Sequence, residues 1–386
     1  MAEKRFARLM FARKEYQPEK IYLERKVADS TVSRRVLQYW DKIPVQLINS
    51  LNEMEQDRTD GRVMLLLHQK GRFLKPCPGT PQHLCCNYML LNIGYNCPLG
   101  CSYCYLPAYL DNPQVISIFA NLGDLRQELE ALAANGHPGL YRIGTGEFND
   151  SLVFDHITNF SNEIIPLFAR HKGWLLELKT KTNQIGSLLE LDPEGRVVIS
   201  WSLSPTAVIA REEPETTPLE GRLTAAQRCQ AQGYWIGLHF DPIIYYDDWE
   251  RDYEDLVRAT FSRIEPARVI WISLGGLRFI PPLVPKIKEM FPQSKIICGE
   301  LFPGRDGKLR YLQKIRIELY TKLIALIKEF APQAFVYLCM ETPEVWSKVF
   351  GWSPQNNSHL AHLFTERYYD MYRSPGYPFS ARRHKP

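Results

Sequence analysis

The sequence predicts a parallel α/β protein, a full or partial barrel of alternating strands and helices behind a smaller N-terminal α/β extension. Two observations carry this. From residue 88 onward, short apolar runs alternate with amphipathic helical stretches, the rhythm of repeated β/α units. The polar residues that stand out fall just after those apolar runs, where parallel strands present their ligands. A hydrophobic content of 45% with 12% aromatics over 386 residues is ample for the core such a fold needs.

Three regions are expected: 1–75, 76–352 and 353–386. In the first, 20–24 and 63–67 read as short strands, and 32–40 and 45–51 have helical apolar spacing. Basic residues crowd its start (Lys4, Arg5, Arg8, Arg13, Lys14), which reads as a solvated arm rather than a nucleic-acid footprint. In the second region, strands are expected at 88–93, 140–145, 175–179, 197–203, 235–240 and 269–274. Helices are expected between them, for example at 122–134, 152–170 and 253–264. A seventh apolar run at 295–298, an amphipathic helix around 311–330 and an eighth run at 335–338 follow. The segment after Trp352 is polar and Pro-containing, ends in Arg382-Arg383-His384-Lys385, and reads as a mobile, dispensable tail.

Composition narrows the function classes. A formal charge of +4 is too small to argue for nucleic acid by itself. Nine cysteines is an odd count, and no signal-peptide pattern leads the chain, so a cytoplasmic protein is expected rather than a secreted disulfide scaffold. No apolar run approaches the length of a membrane span.

The stretch that organises the rest is Tyr95-Asn96-Cys97-Pro98-Leu99-Gly100-Cys101-Ser102-Tyr103-Cys104-Tyr105. Its C-x3-C-x2-C spacing follows the first apolar run of the barrel, so the thiols belong to the loop at that strand's carboxyl end. Pro98 and Gly100 let so short a loop bend three sulfurs toward one centre. Three thiolates suit a cubane iron–sulfur cluster that keeps one iron free for a small-molecule ligand; four would close it, or close a structural zinc site. The alternatives are a zinc knuckle or three unrelated buried cysteines.

Other polar residues fall at successive strand ends. Gly146 and Glu147 follow the second strand, with Gly144 and Gly146 suited to close backbone approach by a ligand. Lys181 follows the third, Ser202 and Ser204 end the fourth, and His239 and Asp241 end the fifth. Cys77, Cys85 and Cys86 precede the first strand. They read as buried small hydrophobes, against a thiol near the active site that exchanges a hydrogen atom, or a cramped zinc site with His83.

Cys101-Ser102-Tyr103-Cys104-Tyr105-Leu106 resembles the spore photoproduct lyase branch of the radical S-adenosylmethionine (SAM) enzymes. Residues 21–24, 155–158, Thr180-Lys181, and 218–234 with Arg222, Ala225 and Ala226 resemble further segments of that family. The resemblance implies a partial (β/α)6 radical SAM barrel and a 4Fe-4S cluster on Cys97, Cys101 and Cys104. It also implies SAM as co-substrate, with Lys181 contacting it and Ser202 or Ser204 helping to hold its amino-acid part. An electron donor of flavodoxin or ferredoxin type follows, as does the reversal of a thymine dimer in DNA.

In that family a cysteine after the second strand returns a hydrogen atom to the product radical, helped by two tyrosines, kept here as Tyr103 and Tyr105. Glu147 occupies the cysteine's position. A carboxyl O–H is too strong a bond to replace the thiol, and Gly144-Thr145-Gly146-Glu147 instead resembles the stretch whose glutamate receives the amino group of SAM. A thiol from Cys77, Cys86 or Cys339 would restore a donor. The family also inserts a β-hairpin carrying Arg and Tyr into damaged duplex, whereas 306–311 here reads as the entry to a helix, with Arg310 and Tyr311 capping it; the alternatives are an Arg-Tyr pair that stacks on and clamps a nucleotide, or Arg310 contacting an anionic substrate group. Two other readings stand beside repair: radical modification of a non-DNA substrate, and a non-catalytic nucleic-acid-binding protein with a metal site.

Overall fold

The computed structural model describes residues 16–54, 62–109, 115–136 and 139–373. The basic start and the Arg-rich end of the chain lie outside them. In chain order the first strands are β1 (Lys20–Glu24), β2 (Val45–Ile48), β3 (Val63–Leu67) and β4 (Leu74–Pro76). Next come β5 (Met89–Leu91), β6 (Gly94–Tyr95), β7 (Val115–Phe119) and β8 (Tyr141–Gly144). The long strands are β9 (Trp174–Thr180), β10 (Val197–Ser202), β11 (Trp235–Ile243) and β12 (Val269–Gly276). Four short ones follow: β13 (Arg278–Phe279), β14 (Leu301–Pro303), β15 (Leu309–Tyr311) and β16 (Val336–Leu338).

The main sheet has the order β16-β12-β11-β10-β9-β8-β5-β4 and curls into a half-barrel. From β5 to β16 all neighbours are parallel, while β4 closes the edge antiparallel to β5. Its strands are continuous apolar runs because both faces are covered, and β10 and β12 are buried along their whole length. Trp201, Trp235 and Trp271 are among the largest side chains fully withdrawn from water. Burying a side chain of Leu or Phe size contributes about 1.5–3 kcal/mol, so this sheet supplies most of the driving force.

A second, five-stranded sheet has the order β2-β1-β3-β7-β6. It takes β6 and β7 from the chain on either side of the cysteine loop, so this sheet flanks the loop at both ends. The expected helix at 45–51 is instead β2 plus one 3-10 turn at Leu51–Glu53. Parallel pairing with β1 claims its backbone, including a 2.9 Å bond from Ile21 N–H to the Pro44 carbonyl. As an edge strand it leaves Val45 and Leu47 exposed; the helix-like reading comes from Val45, Ile48 and Leu51, which fall three residues apart.

The helix at 122–134 forms as expected, as Leu122–Ala134, and the one read at 253–264 forms as Trp249–Phe261. The stretch 152–170 breaks into Asp155–Thr158 and Phe160–Arg170 at Asn159, whose φ of +58° is left-handed. Asp155 caps the second piece through Ser161, with bonds of 2.8 Å from the amide and 2.6 Å from the hydroxyl. No strand forms at 295–298, because β16 takes the edge of β12 and leaves that run only a turn with Ile296 buried.

Residues 301–311 correct the expectation of a helix entry: β14 and β15 form an antiparallel hairpin, extended by β13, and the helix begins only at Gln313. The run 353–373 is likewise no loose tail. Helix Asn357–Arg373 buries Leu360, Phe364, Tyr368 and Met371 against the half-barrel. The Phe364 ring meets Trp271 edge-on at 5.5 Å, and the Arg142 guanidinium sits 3.7 Å from its centre. Replacing Phe364 by Ala is expected to cost about 3–5 kcal/mol, as for other fully buried aromatics. Urea unfolding measures it; an unchanged midpoint would show that this helix adds nothing to the core.

Candidate active site

The cysteine loop owes its shape to short-range constraints. Gly94 lies so close to β7 that a Cβ there would stand 2.1 Å from the Ser117 carbonyl. Asn96 takes a left-handed φ of +67° and its amide donates to the Val115 carbonyl at 2.6 Å. Ser102 then ties the loop to the end of helix Thr206–Glu212. Its amide donates to the Glu212 carbonyl at 2.9 Å and its hydroxyl to the Glu212 carboxylate. Glu212 is held in turn by the Ser294 hydroxyl at 2.6 Å.

Cys97, Cys101 and Cys104 are all unpaired thiols within electrostatic reach of one another. Burial pushes all three up, Cys101 to about 12, while Lys181 pulls Cys101 and Cys104 the other way. A lone thiolate is therefore disfavoured here, and a metal centre is the partner that would stabilise three of them together. Among the described residues, no three His, Cys, Asp or Glu side chains are set at single-ion spacing.

Beside this loop lies a buried carboxylate, Glu213. It accepts from the Tyr103 hydroxyl, from Ser204 at 2.8 Å and from Arg222 at 2.5 Å, and the Lys181 ammonium stands 3.7 Å away. Desolvation opposes its charge, but Lys181 and Arg222 prevail and hold it down at about 2. Arg222 also donates to the Ser202 carbonyl at 2.8 Å and to the Thr217 carbonyl at 2.7 Å. Lys181 lies 5.5 Å from the centre of the Tyr103 ring, and its amide donates to Asp150 at 2.7 Å. Asp150 also accepts from Thr180 at 2.8 Å. Burial raises Asp150 despite these bonds.

Gly146 and Glu147 come next to the loop from the other side. Gly146 has φ +94°, and a Cβ there would meet the Lys179 Cβ at 2.8 Å, so the backbone passes close. The Tyr105 hydroxyl donates to the Glu147 carbonyl. Lys179 feels the charges of Glu177, Glu147 and Asp241. Deeper in the barrel His239 bonds Glu177 at 2.9 Å, and Arg278 grips Asp241 with two bonds of 2.9 Å. Arg278 also reaches the Cys339 sulfur at 3.7 Å.

The structure thus gathers the three cysteines with Tyr103, Lys181, Ser202 and Ser204, and puts Tyr105 against Gly146-Glu147. Reading strand ends did not find Glu213, Asp150 or Lys179. Glu212-Glu213 looks like a solvated helix end, and only the later approach of Arg222 and Lys181 marks it as a buried anion. Arg310 does not face outward: it pairs with Asp306 at 2.6 Å and the Met340 carbonyl at 3.2 Å. Tyr311 is buried with its hydroxyl accepting from the Tyr245 amide at 3.1 Å. The exposed residues of the hairpin are Phe302, Pro303, Arg305 and Gly307.

Comparison with known proteins agrees with this architecture. The sequence model of the spore photoproduct lyase family matches residues 16–338. Spore photoproduct lyase of Geobacillus sp. (strain Y412MC61) is 27% identical over 248 residues, covering 62% of this chain and 73% of the relative. That of Bacillus subtilis (strain 168) is 26% identical over 250 residues, covering 62% and 72%. A solved spore photoproduct lyase complexed with dinucleoside spore photoproduct superimposes with a TM-score of 0.74 at 22% identity, over 84% of this chain and all of that one. A double mutant with bound AdoMet and the same dinucleoside gives 0.75 at 21% identity, with the same coverage.

The Glu213 clamp has a pH signature. Its carboxyl is depressed in the folded state, so the stability it adds is complete above its ordinary 4.5 and is lost as pH falls toward about 2. Glu213→Gln leaves Arg222 buried without its counter-charge and is expected to cost about 3–5 kcal/mol at neutral pH. Denaturant unfolding at several pH values should show that deficit shrinking below pH 4.5; parallel curves for the two proteins would refute the clamp.

Proposed function

The chain belongs to the spore photoproduct lyase family, a family of radical SAM enzymes, and from that premise we propose that it repairs spore photoproduct in DNA by radical chemistry initiated from SAM. The observation that carries the reading is the buried thiol trio of Cys97, Cys101 and Cys104 with Lys181 and the Tyr103–Glu213 pair beside it. These three cysteines would hold a 4Fe-4S cluster with one iron left for SAM. Bound there, such a cluster would supply the electron for reductive cleavage of SAM to methionine and a 5'-deoxyadenosyl radical.

Around it the chain's own residues bind and orient. Lys181 offers an ammonium to the SAM carboxylate, and the Glu147 carboxylate suits the SAM amino group, each a charge-assisted pairing. Gly146 lets the backbone approach closely. Ser202 lines the same wall, while Ser204 acts through Glu213, to which its hydroxyl is committed. Tyr103 and Tyr105 are held by Glu213 and the Glu147 carbonyl, which fixes both rings beside the last cluster cysteine. The β14–β15 hairpin, with Phe302 and Arg305 outward, is the element suited to meet nucleic acid, an aromatic for stacking and a cation for phosphate. An electron donor of flavodoxin or ferredoxin type would serve as reductant.

Anaerobic reconstitution with iron and sulfide is expected to give a brown protein that bleaches on dithionite and converts SAM to 5'-deoxyadenosine. Cys101→Ala should form at least a hundredfold less 5'-deoxyadenosine; unimpaired cleavage in that variant would rule the site out. Lys181→Ala should raise the SAM dissociation constant roughly tenfold, the scale of one lost charge-assisted contact. An oligonucleotide carrying spore photoproduct should regain its thymine pair. Because Glu147 stands where relatives carry a thiol, SAM cleavage with the lesion untouched would transfer the reading to radical modification of another substrate.

A further inference from the structure

The segment 145–151, which leaves β8, folds back on β9 and is stitched to it. The Thr145 amide donates to the Glu177 carbonyl and the Ser151 amide to the Lys179 carbonyl, both at 3.0 Å. The Lys179 amide returns a bond to the Ser151 hydroxyl at 2.9 Å, and the Thr145 hydroxyl donates to the same oxygen at 2.5 Å. The stretch that carries Glu147 is therefore fastened to β9 on both sides of that residue.

Asp150 closes this arrangement. Its Oδ1 accepts from the amides of Leu152 and Val153 at 3.0 Å each and from the Thr180 hydroxyl at 2.8 Å. Its Oδ2 accepts from the Lys181 amide at 2.7 Å. These four partners all donate, a set that an ionised carboxylate satisfies on both oxygens. The Thr182 amide donates to the Thr180 Oγ1 at 2.9 Å, which leaves the Thr180 hydrogen for Asp150.

The ladder between β9 and β10 ends at Thr180. The Lys181 amide lies beyond it, and Asp150 takes the place a strand partner would fill. That bond fixes the direction in which the Lys181 side chain leaves the backbone. At the far end the ammonium stands 3.7 Å from Glu213 and 5.5 Å from the centre of the Tyr103 ring. At 3.7 Å the ion pair is longer than a hydrogen bond, so the ammonium keeps donors for a ligand.

We infer that Asp150 is a positioning residue for SAM: through the Lys181 amide it aims the Lys181 ammonium at the SAM carboxylate and keeps it in register with Glu147 on its own segment. This rests on the reading of Lys181 as the contact of the SAM carboxylate in a spore photoproduct lyase. Because Asp150 acts through Lys181, its influence is confined to the part of SAM that Lys181 meets.

Asp150→Asn isolates the decisive bond. The three donors at Oδ1 keep the amide oxygen on their side, which turns the Asn NH2 toward the Lys181 amide, donor against donor. The turn at 151–153 keeps its cap while Lys181 loses its acceptor. Full-length protein is reconstituted with iron and sulfide, its iron content is measured, and SAM binding is followed by equilibrium dialysis without reductant. At wild-type iron content, Asp150→Asn should raise the SAM dissociation constant about fivefold. Decarboxylated SAM, which lacks the group Lys181 meets, should bind wild type and variant alike. In a Lys181→Ala background, Asp150→Asn should add less than about twofold, the signature of one residue acting through another. Thr180→Val removes one donor from Asp150 at nearly constant volume and should show the same selectivity with a rise of about twofold, and it carries the test if Asp150→Asn does not fold. Unchanged SAM affinity in these variants, a loss shared equally by decarboxylated SAM, or full additivity with Lys181→Ala overturns the positioning role and leaves the lyase reading standing. If iron-loaded wild type binds no SAM, the lyase reading falls and this inference with it.

Discussion

The site depends on a carboxylate that ought not to be charged where it is. Glu213 is almost fully withdrawn from water, and desolvation alone would neutralise it. Arg222, itself fully buried, supplies the counter-charge from the helix before β11, and Lys181 supplies more from the loop after β9. Tyr103 and Ser204 fill the remaining acceptor positions. One ionised group thus joins the cysteine loop to the connection after β9, through Lys181, and to the β10–β11 connection that carries Ser204 and Arg222. Because each partner satisfies a buried charge, displacing any one exposes the cost of the others, which gives the loop a single geometry.

Such rigidity matters for thiols. Burial holds Cys97, Cys101 and Cys104 protonated unless a cationic centre compensates, so the pocket favours three thiolates only as a set. The second group of sulfurs differs in kind. Around Cys77, Cys85 and Cys86 the balance is mixed: the neighbouring Cys85 lowers the Cys77 thiol in spite of burial, while Cys85 and Cys86 are themselves raised.

The hairpin and the C-terminal helix depend on the sheet in a similar way. Arg310 turns inward because Asp306, four residues earlier on the same hairpin, offers it a carboxylate, and the pair is shielded from solvent. Phe302 and Arg305 are then the outward aromatic and cation of the hairpin, beside the exposed Pro303 and Gly307. Helix Asn357–Arg373 covers β12 and β16, the strands that would otherwise end the half-barrel with an apolar face in water.

Much was legible in the residues. Period and composition revealed the parallel strands from 88 to 274, since runs buried on both faces are apolar throughout. The C-x3-C-x2-C spacing marked the loop, because thiols that close together in sequence cannot be far apart in space. What the sequence could not reveal were choices between elements with equal local preference. The stretch 45–51 is a strand only because β1 offers an edge, and 295–298 is a turn only because β16 already holds one. Residues 301–311 pair with β13 rather than extend the following helix. Glu213 and Arg222, nine residues apart, look like surface charges until folding removes their water. Local chemistry is written in order along the chain, whereas burial and long-range pairing exist only once distant segments meet, and those decided the charge states and the neighbours of this site.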